Sequence, residues 1–143
     1  GPARADVEAA YGGLLPGRAV FAGAVPSGEL PAFYAAADLL VWPAVNEAYG
    51  MAMLEAQAAG LPVAAGRTGG VPGVVRDGRT GVLCPVGDAA AFAASAADLL
   101  DAPARLDAMR ASALSLTAAE NDIAVAARRL DEILQTTVKA RAA

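Results

Sequence analysis

A chain of 143 residues with a net charge of −4 and no histidine is long enough for one domain that buries about two thirds of its unfolded surface, and it excludes a histidine base or histidine metal site within itself. Ten arginines and a single lysine, Lys139, do not outweigh the acids, which argues against a polyanion-binding surface and against nucleic acid as a partner. Hydrophobic residues reach 56%, yet alanine supplies much of that and no run attains the about 18 apolar residues of a spanning helix.

From the amino end, Ala3 to Tyr11 reads as a helix, with Val7 and Tyr11 at an i, i+4 spacing and Gly12-Gly13 as its end. Gly17 to Ala22 has the β-branched and aromatic content of a strand. Ser27 is placed to cap a helix that opens at Leu30-Pro31 and runs through Phe33, Tyr34 and Ala37 to Asp38. The apolar run Leu39-Leu40-Val41-Trp42-Pro43 predicts a buried parallel strand. Met51 to Ala59 is a short, almost wholly apolar helix closed by Gly60 and the Leu61-Pro62 step, after which Pro62 to Ala65 is extended.

Pro72 suits the first turn of a short helix from Val71 to Val75, and Asp77-Gly78 with Thr80-Gly81 marks a turn before a brief strand, Val82 to Cys84. Asp88 caps an alanine-rich helix to about Leu100. Pro103 to Ser115 carries Leu106, Met109 and Leu114 as another, and Asp122 to Thr137 places Ile123, Ala127, Leu130 and Leu134 on one stripe. This alternation predicts an α/β fold, a Rossmann-like parallel sheet with helices on both faces.

The chemistry concentrates between Asn46 and Gly70. Glu47 follows the predicted Leu39–Pro43 strand and belongs in the loop beyond its carboxyl end, where open α/β sheets bind ligands. Glu55 is the one ionisable side chain on the Met51 to Ala59 helix; if that helix is buried on most sides, Glu55 is a buried carboxylate that needs partners, and a vicinal diol such as that of ribose can supply two hydrogen bonds. The amides of Tyr49, Gly50, Met51 and Ala52 at the helix start suit a phosphate or sugar oxygens. Thr68-Gly69-Gly70 forms a second anion-friendly turn, so that two helix N-termini point at one crevice.

At these residues the chain resembles a known family. Glu47-x7-Glu55 within E-A-Y-G-M-A-M-L-E-A, followed by G-L-P-V, T-G-G-V-P and D-G-R-T-G-V-L, is similar to the carboxyl-terminal, donor-binding domain of GT-B retaining glycosyltransferases of family 4, the glycosyl transferases group 1. The resemblance implies a nucleotide-sugar donor, with Glu47 at the donor sugar and counted as catalytic. Ala48, Tyr49, Gly50, Met51, Glu55, Thr68, Gly69 and Gly70 would bind the donor, Glu55 through the ribose hydroxyls. It also implies that Gly23 to Pro26 approach the base through backbone atoms, and that no metal or other cofactor is needed.

Family members carry a strand, a helix and a strand ahead of a G-x-G-P turn whose last two residues match Gly1-Pro2. The expectation is therefore one partial domain over residues 1–143, with the acceptor domain, the first β-α-β and the diphosphate-clamping Arg and Lys supplied elsewhere in a longer enzyme, and with the isolated fragment inactive. Tyr49 stands where the family has Phe, and Gly73 where it has Glu.

Plainer readings stand beside these. Glu47 alone is an exposed loop carboxylate, Glu55 a carboxylate satisfied by backbone or an arginine, and Gly50, Gly69 and Gly70 turn glycines. Arg67, Arg76 and Arg79 read as solvated surface, and Met51 and Met53 as packing. Cys84, the single cysteine, reads as a small core residue; it leaves no internal disulfide, and nothing at the amino terminus resembles a signal peptide, so a cytoplasmic protein is expected, with peripheral membrane attachment of the full enzyme left open. The alternative function is a non-catalytic binding or assembly module, and an uncovered sheet edge would let the chain self-associate.

Overall fold

A computed structural model describes residues 3–142; Gly1 and Pro2, which carry the match to the G-x-G-P turn, lie outside the described residues. Two compact units divide between Leu30 and Pro31.

In the first unit α1 runs Arg4–Leu14, through the Gly12-Gly13 pair expected to stop it. A glycine inside a helix costs only about 1 kcal/mol, and the left-handed residue comes later, at Gly17 with φ 71°. Gly17 to Ala22 forms no strand among the described residues, and Val20 is 91% exposed. β-propensity alone does not make a strand without a neighbouring ladder to pair with. Phe21 instead meets Tyr11 edge to face, with ring centroids 6.4 Å apart.

The second unit carries the sheet. Helix α2 (Leu30–Ala36) follows a turn closed by Glu29 N–H donating to the Pro26 carbonyl, and the Ser27 hydroxyl makes no capping bond among the described residues. Then come β1 (Leu40–Trp42), α3 (Met51–Ala58), β2 (Val63–Gly66), α4 (Val71–Val74), β3 (Gly81–Cys84), α5 (Ala89–Leu100), α6 (Pro103–Glu120) and α7 (Ile123–Ala142). The strands are parallel in the order β1-β2-β3, with Leu40 opposite Val63 and Ala64 opposite Val82.

The period-two alternation of a strand separates two cores. Val63 and Ala65 of β2 and Leu83 of β3 pack with Met53 and Ala56 of α3 and Val71 and Val74 of α4. Val82, between Gly81 and Leu83, packs on the other face with Leu99 of α5 and Leu106 and Met109 of α6. Helices therefore cover both faces, as the sequence predicts.

Three boundaries differ from expectation. β1 is not buried: Val41 and Trp42 are exposed because β1 is the edge of the order β1-β2-β3. Helix α6 continues past Ser115 to Glu120 because no glycine or proline interrupts it before Asn121. Helix α7 extends past Thr137, starting where Asp122 Oδ1 accepts from Ala124 N–H, and its stripe at Ile123, Leu130 and Leu134 is exposed. No helix of the described residues is long and apolar enough to cross a membrane.

Candidate functional site

The site is built where β1 and β2 end. The loop 43–50 leaves β1 and the turn 67–70 leaves β2, and the two are held backbone against backbone. Gly70 N–H donates to the Ala48 carbonyl at 3.1 Å, and the Thr68 hydroxyl donates to the Val45 carbonyl at 3.2 Å. A β-carbon on Gly69, which has φ +49°, would lie 2.0 Å from the Glu47 carbonyl oxygen, and one on Gly70 would lie 2.5 Å from that of Ala48. Such approaches leave room only for glycine. Glu47, Ala48, Tyr49, Thr68, Gly69 and Gly70 are thereby brought together, at the carboxyl end of a parallel sheet.

Within the first loop Glu47 is half-buried, and its Oε1 accepts from Gly50 N–H at 3.1 Å. Gly50 is left-handed with φ 98° and opens α3. Its amide is therefore occupied by Glu47, where the sequence led to an open amide. The amides of Tyr49, Met51 and Ala52 make no backbone hydrogen bond among the described residues, so they carry the positive end of α3. Tyr49 and Met51 are exposed while Met53 is fully buried; Met51 is thus at the surface and not in the core.

In the turn 67–70 the Gly69 amide makes no backbone hydrogen bond among the described residues, while its neighbours are occupied. Gly70 N–H is spent on Ala48 and Val71 N–H donates to the Thr68 carbonyl at 3.0 Å, while α4 has four residues. The Gly69-Gly70 pair permits the close packing of the two loops. Two consecutive glycines in the turn shortly after a strand were the available signal for that packing.

Glu55 differs from expectation as well. It is exposed, on the same face of α3 as Met51 one turn earlier. The buried polar residue is Gln57, whose Nε2 donates to the carbonyls of Met53 at 3.1 Å and Val74 at 3.3 Å, tying α3 to α4 and turning Glu55 outward. The Tyr34 hydroxyl of α2 donates to Glu55 Oε2 at 3.5 Å. Burial, reinforced by the charge and the hydrogen bond of Glu55, pushes the Tyr34 phenol above its ordinary value. Tyr34 carried no signal in the sequence beyond its place on a helix.

Arg67 and Arg76 are paired on the surface. Arg67 bonds Asp77, whose other oxygen accepts from Leu83 N–H, and Arg76 meets Glu120 at 2.6 Å. Hydrogen bonding to Arg76, then the charge of that guanidinium, holds the Glu120 carboxyl below the usual range despite some desolvation, and Arg129 and Arg79 add to the effect. Cys84 is buried and free. Among the described residues no cluster of His, Cys, Asp and Glu could hold a metal. The cavity bounded by Ala58, Leu114 and Ile123 lies at the C-terminal end of α3, whereas this site lies at its N-terminal end.

Comparison with known proteins gives concordant matches. The family model described as glycosyl transferases group 1 matches residues 1–102. The D-inositol 3-phosphate glycosyltransferase of Thermobispora bispora is 48% identical over 103 residues, 72% of this chain and 24% of that protein; the chain thus spans about a quarter of that relative. Sucrose-phosphate synthase from Thermosynechococcus elongatus superposes with a TM-score of 0.86 at 28% identity, covering 98% of this chain and 35% of that one. Anabaena HepE, solved in complex with UDP and glucose, superposes with a TM-score of 0.81 at 22% identity, covering 92% of this chain and 36% of that one.

Proposed function

Since the chain belongs to the glycosyl transferases group 1 family, a family of enzymes, we propose that it is the donor half of a retaining GT-B glycosyltransferase. In the full-length protein it binds a nucleoside diphosphate sugar and presents it to an acceptor hydroxyl. The observation that carries this reading is the backbone zipper between 43–50 and 67–70, which fixes the loop that holds Glu47 ahead of the open amides of α3.

Glu47 contacts hydroxyls of the donor sugar; its tie to Gly50 N–H fixes its orientation and leaves one oxygen to receive them. Glu55 accepts the two ribose hydroxyls. As the glycosidic bond breaks, negative charge grows on the leaving diphosphate, and the preorganised amides of Tyr49, Met51 and Ala52 offset it. The acceptor attacks on the face the diphosphate leaves, so configuration is retained without a protein nucleophile. The reading assigns no part to a metal. An acceptor domain and the basic residues that clamp the diphosphate belong to the longer protein.

UDP-glucose is the first donor to test, because HepE was solved with UDP and with UDP-glucose. Calorimetric titration of the chain should give saturable binding that Glu47→Ala weakens for UDP-glucose more than for UDP. Equal loss for the two ligands would remove Glu47 from the sugar. The second reading, a binding module without turnover when isolated, is favoured by the exposed α7 stripe and by coverage of a quarter of the relative; sugar transfer by the 143-residue chain itself would exclude it.

A further inference from the structure

Helix α3 is locked from below. Met53, Ala56 and Gln57 are buried, and Gln57 bridges to the Val74 carbonyl of α4, so the backbone under Glu55 is anchored to the core. What remains free is the glutamate side chain itself, which rotates about three bonds. Among the described residues one side chain hydrogen-bonds it, Tyr34, at Oε2.

The Tyr34 ring is held in turn by packing against the core that contains Met53 and Ala56. Its hydroxyl is a neutral donor whose proton is retained by burial and by the nearby carboxylate. An arginine in that place would neutralise Glu55, whereas a phenol fixes the carboxylate and leaves its charge for the ligand. Each carboxylate oxygen has two lone-pair sites. With Tyr34 on one of the four, Oε1 and the second site of Oε2 remain for two hydroxyls side by side. The 3.5 Å separation is at the outer limit for such a bond.

We propose that Tyr34 is a positioning residue that holds Glu55 for bidentate acceptance of a vicinal diol, making the site selective for ribose over 2′-deoxyribose. This rests on the ribose role of Glu55 given above, and the two are separable by experiment. The probe is whichever of UDP, GDP and ADP the chain binds most tightly, titrated by calorimetry beside its 2′-deoxy counterpart, with circular dichroism on each variant.

Tyr34→Phe keeps the ring and removes the donor. It is expected to weaken the ribonucleotide about five- to tenfold, the net size of one ordinary hydrogen bond, and the deoxynucleotide less than about twofold. Glu55→Gln is expected to weaken the ribonucleotide at least about tenfold, and the double variant to bind no more weakly than Glu55→Gln, because Tyr34 acts through Glu55. Equal losses for the two nucleotides in Tyr34→Phe, or additive losses in the double variant, would overturn the proposal. A loss in Glu55→Gln with none in Tyr34→Phe would overturn it and leave the ribose role standing. No loss in Glu55→Gln, or no binding of any of the three nucleotides by the native chain, would overturn both.

Discussion

The carbonyl oxygen of Glu47 occupies the place where any residue but glycine at position 69 would put its β-carbon, 2.0 Å away. The residue proposed to touch the sugar is thus located by a contact to the turn after the next strand, and not by its own loop alone. A sheet-end site made of two loops gains its shape from that contact.

Gly69→Ala should therefore destabilise the chain by about 2–4 kcal/mol, combining left-handed strain with a backbone clash. Gly73→Ala, where a β-carbon meets nothing within 4 Å, should leave stability unchanged or raise it by about 0.5 kcal/mol. Urea unfolding of the two variants side by side checks the contrast.

Gln57→Leu should cost about 1–3 kcal/mol. The substitution keeps apolar volume but leaves the Val74 carbonyl, which now accepts at 3.3 Å, without that donor in a buried place. Equilibrium unfolding measures the loss, and unchanged stability would show that water reaches the carbonyl.

Arg110 on α6 clasps the end of α2 and the start of β1: its guanidinium donates to the carbonyl of Ala37 at 3.1 Å and to the Asp38 carboxylate at 3.0 Å. Arg110→Met should cost about 1–2 kcal/mol through the part-buried carbonyl bond. Asp38→Asn should cost under about 0.5 kcal/mol, since that carboxylate is largely exposed. Thermal melts that ranked the two in the opposite order would reassign the clasp to the ion pair.

Stability should fall on both sides of neutrality with assignable slopes. Glu120 titrates below 4.5 in the folded chain because Arg76 holds it; that contribution is complete above the unfolded value and disappears as pH falls through the folded one. Tyr34 titrates above 10.0, so its contribution is complete below pH 10.0 and disappears as pH rises through the folded value. Arg76→Gln should flatten the acid limb alone and Tyr34→Phe the alkaline limb alone, read from melting temperature against pH.

Much of this architecture was legible in the residues. Strands around Val41, Ala64 and Leu83, the Asp88 cap and the left-handed stop at Gly60 follow from local chemistry, and the structure has each of them. What was not legible depends on partners distant in sequence. The outward turn of Glu55 is set by Gln57 reaching Val74, and helical periodicity could not choose between those two polar residues on an apolar helix. The use of Gly70 N–H on Ala48 required knowing that two loops touch. Gly17 to Ala22 had the composition of a strand but not a neighbour to pair with.

The central claim is that a nucleotide sugar sits on the start of α3 beside the zipped loops. Amide NMR of the chain during titration with UDP-glucose tests it most directly, because the groups proposed to hold the ligand are themselves the reporters. The account predicts saturable shifts concentrated at Tyr49, Met51, Ala52 and Gly69, with Glu55→Ala shifting the midpoint at least about tenfold upward. Shifts centred elsewhere, or no shifts at millimolar ligand, would contradict it.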